Sequence, residues 1–442
     1  MTETGPGGSS ATIPDLGVPA TFREAGPPAA GHAVVVGGGP AGGEAAVALR
    51  AAGFGGAITI VGEEIHLPYA RPPLSKGYLL ATVAAETLPL RPAETYDAHG
   101  IRVLPGRRAL AVDRSRRVLE LDDGSRLAYS DLVLATGGTA RALPGLAADP
   151  ASGVHCLRTI QDVDALRPTL VAGRRLLVVG GGYIGLEVGS VGRRLGLEVT
   201  VVEAGPRVLG RVASAVTSAF FTRIHREEGV EVLTSTTVRE FHRGAGGAVR
   251  SVTLSDGTQR DVDAVLVGIG ITPNTAVAAA AGLAVDDGVV VDEYLRTADP
   301  NIYAIGDVAR FPAPDGSGLL RLESTPNAAE QARVVADVLT GRPRPYETEP
   351  WFWSEQFDVK LQVAGVSRPT DACVTRGDPS SGRRLCVFYL RDGAVRAVDV
   401  AGSPKDFALG RKLVGQRAVV PAAALADEAT PLRDLVALAA TQ

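Results

Sequence analysis

The run Ala33-Val34-Val35-Val36-Gly37-Gly38-Gly39-Pro40-Ala41-Gly42 decides the fold. An apolar strand ends on a glycine turn, and the Ala/Val/Leu-rich stretch behind it has the composition of a helix. A second apolar strand, Ala57–Val61, follows, with Glu63 one glycine beyond it. The unit is then written again. Leu176-Leu177-Val178-Val179 runs into Gly180-Gly181-Gly182-Tyr183-Ile184-Gly185, a helical stretch follows, and the strand Glu198–Val202 ends directly on Glu203.

Each part of the unit has a physical task. The first glycine (Gly37, Gly180) permits a tight turn. The second (Gly39, Gly182) lets backbone approach a pyrophosphate, and the third (Gly42, Gly185) lets helix pack on strand. The pyrophosphate sits at the helix N-terminus, where unpaired N–H groups and the dipole favour negative charge. The closing carboxylate, Glu63 or Glu203, accepts hydrogen bonds from ribose hydroxyls. One such glycine pattern is weak evidence, whereas two in strand–turn–helix settings, each with its acid, are specific. Two units predict two dinucleotides. A flavin facing a nicotinamide is the economical pairing, because hydride passes directly between stacked rings.

Further strands punctuate the chain. Asp131–Gly138 reads as a buried strand ending in Ala135-Thr136-Gly137-Gly138, and Ala264–Asn274 as another that ends through Gly268-Ile269-Gly270. Such strand ends return the chain between domains. Asp307 is expected at the end of a strand within Thr297–Val308, beside a helix over Ala328–Leu339. A plain helix cap is the alternative reading of Asp307.

Composition narrows the class. A chain of 442 residues exceeds one typical core, so two or three domains are expected. Hydrophobic content of 45% and charged content of 21% are ordinary for a soluble globular protein. A net charge of -4 without a basic tract argues against nucleic acid as a partner. No apolar run reaches the ~20 residues of a membrane span. Residues 1–30 are rich in Gly, Pro, Ala and Thr and read as a disordered tail without a targeting pattern. Cys156, Cys373 and Cys386 are too far apart in sequence for a CxxC motif, and Cys156 is expected to be a small buried hydrophobe. No His spacing suggests a metal site, and a reduced, cytoplasmic setting is the default.

Three more segments make the chain familiar: Arg71-Pro72-Pro73-Leu74-Ser75-Lys76, Glu323-Ser324-Thr325-Pro326-Asn327-Ala328-Ala329-Glu330-Gln331-Ala332 and Trp351-Phe352-Trp353-Ser354-Glu355-Gln356-Phe357. With both glycine turns, the Ala-Thr-Gly strand end and Ile305-Gly306-Asp307, they resemble the FAD-dependent NADH:ferredoxin reductases of bacterial oxygenase and P450 systems. The resemblance covers roughly residues 31–442. It implies a glutathione-reductase-like α/β fold with two Rossmann-like domains. FAD would occupy 31–140 with 272–346, NADH would occupy 141–271, and a five-stranded α+β domain over 347–442 would cover the flavin.

The resemblance also implies roles. Ala41, Gly42, Glu63, Ala109, Thr136, Arg158, Asp307 and Thr325 match FAD contacts, with Asp307 toward the ribityl chain. Tyr183, Ile184, Glu203 and Gly270 belong to the NADH unit. Lys76 matches a lysine near the reactive edge of the flavin, Glu187 a residue near the nicotinamide, and Trp353 an aromatic beside the flavin. A solvated loop lysine, a helix-dipole acid and a core indole are their ordinary alternatives. Trp351 reads as packing. Relatives usually carry Asp where Glu355 stands, and often a small apolar residue where Thr325 stands. The latter is expected to reach FAD through its backbone.

The implied reaction is hydride transfer from NADH to FAD, then single-electron delivery to a [2Fe–2S] ferredoxin serving a P450 or another oxygenase. Disulfide-exchanging relatives need cysteines beside the flavin, and this chain has none near Lys76. Alternatives are a rubredoxin, quinone or dehydroascorbate-radical reductase, or a redox-signalling flavoprotein of the apoptosis-inducing-factor type. Ferredoxin docking candidates are Arg333, Lys405, Arg411 and Lys412.

Overall fold

The computed structural model describes residues 31–146, 148–347 and 349–440. The tail expected over residues 1–30 lies outside them. Five helices border the site: α1 (Pro40–Ala51), α2 (Tyr183–Arg194), α3 (Ala215–Glu227), α4 (Thr325–Leu339) and α5 (Pro404–Gly415).

Two parallel five-stranded sheets form the body of the molecule. In the first, the order is Ile302–Ala304, Asp131–Leu134, His32–Val36, Ala57–Gly62, Ile101–Pro105. In the second it is Glu231–Leu233, Glu198–Val202, Arg175–Val179, Ala264–Val267, Val154–His155. The central strands are near-continuous Val and Leu because layers cover both faces of each sheet. Val34, Val35, Val178 and Val201 are fully buried.

The chain passes between the two sheets twice, and the crossings lie side by side. Gly138–Ala140 pairs antiparallel with Ile271–Pro273. Thr136 and Asn274 brace them. The Thr136 hydroxyl donates to the Asn274 carbonyl at 2.8 Å, and the Asn274 amide donates to the Thr136 carbonyl at 3.0 Å.

The C-terminal sheet is antiparallel, ordered Trp351–Gln356, Val359–Gly365, Ala394–Ala401, Leu385–Arg391, Ala372–Thr375. One face packs on α5 through Phe388, Val398 and Leu413. From the other face Leu361, Val387 and Tyr389 enter a core shared with Leu74, Leu79, Leu186 and Phe221. That core draws on all three units, so their relative placement is part of the fold. In Trp351–Gln356 alternation sends Phe352, Ser354 and Gln356 to one face and Trp351, Trp353 and Glu355 to the other. Phe352 meets the Tyr183 ring edge-on at 4.8 Å, which seats this strand on α2.

Two expectations need correction. Helix α4 starts at Thr325, one turn before the expected Ala328, because Ser324 caps it by accepting from the Asn327 N–H at 3.2 Å. Pro326 falls in the first turn, where a missing N–H costs nothing. Cys156 is half-buried, and its thiol lies 3.5 Å from an Asp162 oxygen. Burial pushes that thiol up to about 12, so it is protonated at neutral pH.

Candidate functional site

The two glycine turns share one geometry. Gly37 and Gly180 have φ of +130° and +111°, which favours glycine. A Cβ on Gly42 would stand 1.9 Å from the Gly37 carbonyl oxygen, and one on Gly185 would stand 2.1 Å from that of Gly180. Around Gly39 and Gly182, by contrast, a Cβ would meet no atom within 4 Å. These are the N-caps of α1 and α2, and neither helix start carries a side-chain cap. Helices α3, α4 and α5 are all capped by serine hydroxyls. Open space before uncapped N–H groups is a cradle that fits a dinucleotide pyrophosphate.

The acids behind the turns differ. Glu63 is exposed just past its strand. Its neighbour Glu64 is engaged instead, by the Arg71 guanidinium and by the Tyr69 hydroxyl at 2.5 Å. Glu203 is pinned by backbone: Oε2 accepts from the Gly181 N–H at 2.8 Å and Oε1 from that of Gly205 at 2.7 Å. Arg207 is committed elsewhere, to the Ala213 carbonyl at 2.6 Å and the Ser218 hydroxyl at 2.7 Å. Arg211 is exposed, with a guanidinium nitrogen 3.5 Å from where a Cβ on Gly270 would stand.

Around the first turn the structure gathers residues distant in sequence. Gly306, at φ +74°, would press a Cβ within 2.8 Å of the Ala41 methyl, so Asp307 is delivered against the start of α1. The Gly306 N–H donates to Gln331 of α4 at 2.7 Å. Asp307 caps no helix. It pairs with Arg158 at 2.8 Å. Arg71 donates to the Arg158 carbonyl at 2.7 Å, tying the Arg-Pro-Pro segment to this corner. Thr325 is the first residue of α4, and Ala109, half-buried, opens the strand Ala109–Asp113 and packs against the core of the first nucleotide unit. The Thr136 hydroxyl donates to the Asn274 carbonyl and the Thr136 carbonyl accepts from the Asn274 amide, which leaves the Thr136 N–H and the acceptor side of its hydroxyl for a ligand.

The charged centre lies where the three units meet. Lys76 Nζ is 2.6 Å from Glu187 Oε2, and the Glu187 side chain is 3% exposed. Ser75 also donates to Oε2, while the Ser354 hydroxyl donates to Oε1 at 2.7 Å. Tyr183 and Ile184 sit at the start of α2; Tyr183 is seated on Phe352 and Ile184 is exposed. Trp353 stacks on Trp351 at 5.6 Å, with Lys360 Nζ 5.9 Å from its ring and Arg411 5.3 Å from that of Trp351. It therefore faces away from Glu187. Glu355 pairs with Lys360 at 3.4 Å.

These features have known counterparts. Residues 31–332 match the pyridine nucleotide-disulphide oxidoreductase family, and residues 351–436 match a reductase C-terminal domain. This chain belongs to that family. Its members bind FAD and a nicotinamide nucleotide, in keeping with the two cradles. Rhodocoxin reductase of Rhodococcus erythropolis is 45% identical over 86% of this chain and 88% of that one. Putidaredoxin reductase of Pseudomonas putida is 41% identical over 92% of this chain and 97% of its own. Among solved structures, the covalent putidaredoxin reductase–putidaredoxin complex superposes with a TM-score of 0.91 at 41% identity, covering 93% of this chain and 99% of that chain.

Sequence reasoning overlooked several residues of the oxidoreductase site. Ser75, Ser354 and Gln356 stand inside segments quoted for other reasons, and alternation along Trp351–Gln356 would have placed both polar residues on the α2 face. Gln331 and Arg71 carried no signal beyond their position in such segments, and Glu64 carried none beyond standing next to Glu63. His225 carried none.

Proposed function

We propose that this chain is an FAD-containing reductase that oxidises NADH and passes electrons singly to a [2Fe–2S] ferredoxin, which feeds a P450 or another oxygenase. The observation that carries the reading is the charged centre between two dinucleotide cradles with no cysteine beside it. FAD would lie in the unit 31–140 with 272–346, its pyrophosphate at Gly37, Gly39, Ala41 and Gly42. Its ribose would face Glu63, and Ala109, Thr136, Arg158, Asp307 and Thr325 would line the rest. NADH would lie in 141–271 on Gly180, Gly182, Tyr183, Ile184, Gly185 and Gly270, with Glu203 on its ribose. The domain 347–442 would cover the flavin. When bound, FAD supplies the conversion between a hydride and two single electrons.

The protein's own groups orient and exclude water. Lys76 places a cation at the reactive edge, and Glu187 holds that cation in place. Disulfide chemistry needs a paired thiol, and Cys156, Cys373 and Cys386 are all free, with none joined to this centre. Relatives named as reductases of rhodocoxin and putidaredoxin support a ferredoxin as the acceptor. Among the described residues no helix is long and apolar enough to cross a membrane. We place the reaction in the cytoplasm, where NADH is made.

The test is steady-state reduction of cytochrome c by NADH. Turnover that appears only when a [2Fe–2S] ferredoxin is added supports the reading. Direct fast reduction of a quinone with no gain from ferredoxin overturns it. So does a long-lived complex with NADH that does not turn over.

A further inference from the structure

The Glu187 carboxylate has only acceptors to offer, and that sets the direction of a buried hydrogen-bond chain. Ser354 lies 2.7 Å from Glu187 Oε1 and must donate to it. The Ser354 hydroxyl has a single proton, so toward Gln356 it must accept, and the Gln356 amide nitrogen stands 3.2 Å away. The Gln356 carbonyl oxygen then faces His225 Nε2 at 2.9 Å and requires an N–H there. Every bond from His225 to Glu187 thus points its positive end toward the carboxylate. The alternative amide orientation would set Ser354 and Glu187 oxygen against oxygen.

The chain crosses all three units. Lys76 comes from the first, Glu187 and His225 from the second, and Ser354 and Gln356 from the C-terminal sheet. Ser354, Gln356 and His225 are 1%, 0% and 0% exposed, so water does not compete for these bonds. In such a medium successive bonds polarise one another. Burial lowers His225 to about 4, so its imidazole is neutral at pH 7 and supplies a dipole but no charge. Among the described residues its Nδ1 meets no hydrogen-bond partner, so the chain ends there.

We propose that Ser354, Gln356 and His225 are positioning residues that act through Glu187 to set the electric field at Lys76, and with it the ease of flavin reduction. None of the three needs to touch cofactor or substrate. Donors aimed at Glu187 offset its negative charge. Removing them leaves the region around Lys76 more negative, which disfavours the electron-rich reduced flavin. The effect must fade with distance along the chain. The inference rests on the proposed placement of FAD against Lys76.

The measurement is the flavin midpoint potential by spectroscopic redox titration, together with stopped-flow reduction by NADH. Full-length protein carrying Ser354→Ala should titrate at a lower potential than the unaltered protein. Its flavin reduction should slow about 10-fold, the scale of a hydrogen bond to a charged group. Gln356→Leu should lower the potential by less, and Ser354→Thr, which keeps the hydroxyl, should recover most of the Ser354→Ala shift. Equal potentials in the unaltered protein and Ser354→Ala, with FAD retained, would overturn the proposal, as would a larger shift in Gln356→Leu than in Ser354→Ala. Ser354→Ala removes one oxygen and decides the matter even if Gln356→Leu fails to fold. Failure of the flavin placement itself would look different: the unaltered protein would carry no FAD, or FAD that NADH does not reduce.

Discussion

Lys76 Nζ and Glu187 Oε2 stand 2.6 Å apart although 111 positions separate them in the chain, and the pair fastens the first nucleotide unit to the second. The Glu187 side chain is 3% exposed and that of Lys76 16%, so neither charge is well hydrated alone. Removing one partner of a buried pair costs more than removing both, because a lone buried charge remains.

The first prediction follows from that asymmetry. Lys76→Ala should retain FAD and lose about 3 kcal/mol of stability. The double variant Lys76→Ala/Glu187→Ala should melt higher than the single one. Both should be slow in hydride transfer, since both lack the cation. Rapid-mixing reduction by NADH at the unaltered rate in Lys76→Ala would make Lys76 a structural residue only.

The second concerns the nucleotide. The two Glu203 oxygens already hold the Gly181 and Gly205 N–H groups, so the carboxylate is fixed where the NADH ribose is proposed to lie. A 2′-phosphate there would meet a fixed negative charge, and Arg207, engaged with Ala213 and Ser218, does not offset it. NADH should therefore be preferred over NADPH in kcat/KM. Glu203→Ala should narrow the preference by about 10-fold, because it removes a charged acceptor and releases two N–H groups toward phosphate. Equal kcat/KM for the two nucleotides in the unaltered protein would refute this and turn attention to Arg211.

The third is a pH dependence with two opposed parts. Asp399 is 1% exposed and accepts from the Tyr389 hydroxyl at 2.5 Å and from Thr217 of α3 at 2.8 Å. Burial raises it from 3.8 to about 6. Its stability contribution is full below the lower value and is lost as pH rises through the upper one. His225 behaves oppositely. Burial takes it from 6.5 to about 4, so its contribution is full above the upper value and is lost as pH falls through the lower. Melting curves between pH 4 and 7 should separate them. Relative to the unaltered protein, Asp399→Asn should gain stability as pH rises, and His225→Gln as pH falls. Parallel curves for all three proteins would rule out both assignments.

The parts legible in the sequence are those built from local backbone chemistry. Gly37 and Gly180 announce turns at positive φ, and the Val-rich runs beside them announce buried parallel strands. The C-terminal sheet was legible only by resemblance. Helix α4 was read too short because Pro326 and Asn327 look like turn residues, although proline is well placed in a first helical turn. The centre was half legible. Lys76 stood out by its segment, while its partners depend on how three units pack. His225 and Gln356, 131 positions apart, meet through a core to which each of the three units contributes. No periodicity encodes such a meeting. Cys156 was misread because its setting depends on Asp162, six positions on, in the first turn of the helix Ile160–Leu166.

The last prediction concerns docking. Arg333 pairs with Glu330 at 2.8 Å yet keeps 60% of its side chain exposed, and with Arg91, Arg342 and Arg344 it lines a groove between α1 and α4. Acids share that groove: Arg344 also pairs with Glu330 and Asp337, so the local field is weaker than a count of arginines suggests. Lys405, Arg411 and Lys412 are exposed on α5, and Arg411 rests on Trp351, whose backbone carbonyl accepts from Ser324 at the start of α4. Arg411 is thus the α5 cation tied to the end of α4 where the flavin is proposed, and Lys405 and Lys412 share its helix. An acidic ferredoxin steered by these charges should bind faster at low salt, because screening extends over about 8 Å at physiological ionic strength. Ferredoxin-dependent turnover below saturation should fall as salt rises, while ferricyanide reduction should change little. Arg333→Glu places a third acid beside Glu330 and Asp337 and should raise the apparent KM for ferredoxin several-fold, about 1 kcal/mol or more, with the KM for NADH unchanged. Arg411→Glu should do the same, whereas Lys405→Glu, at the far end of α5, should do less. A ferredoxin reaction indifferent to salt, or an Arg333→Glu protein with unaltered ferredoxin KM, would dismiss charge steering and leave apolar contact around the stacked Trp351 and Trp353 as the better account.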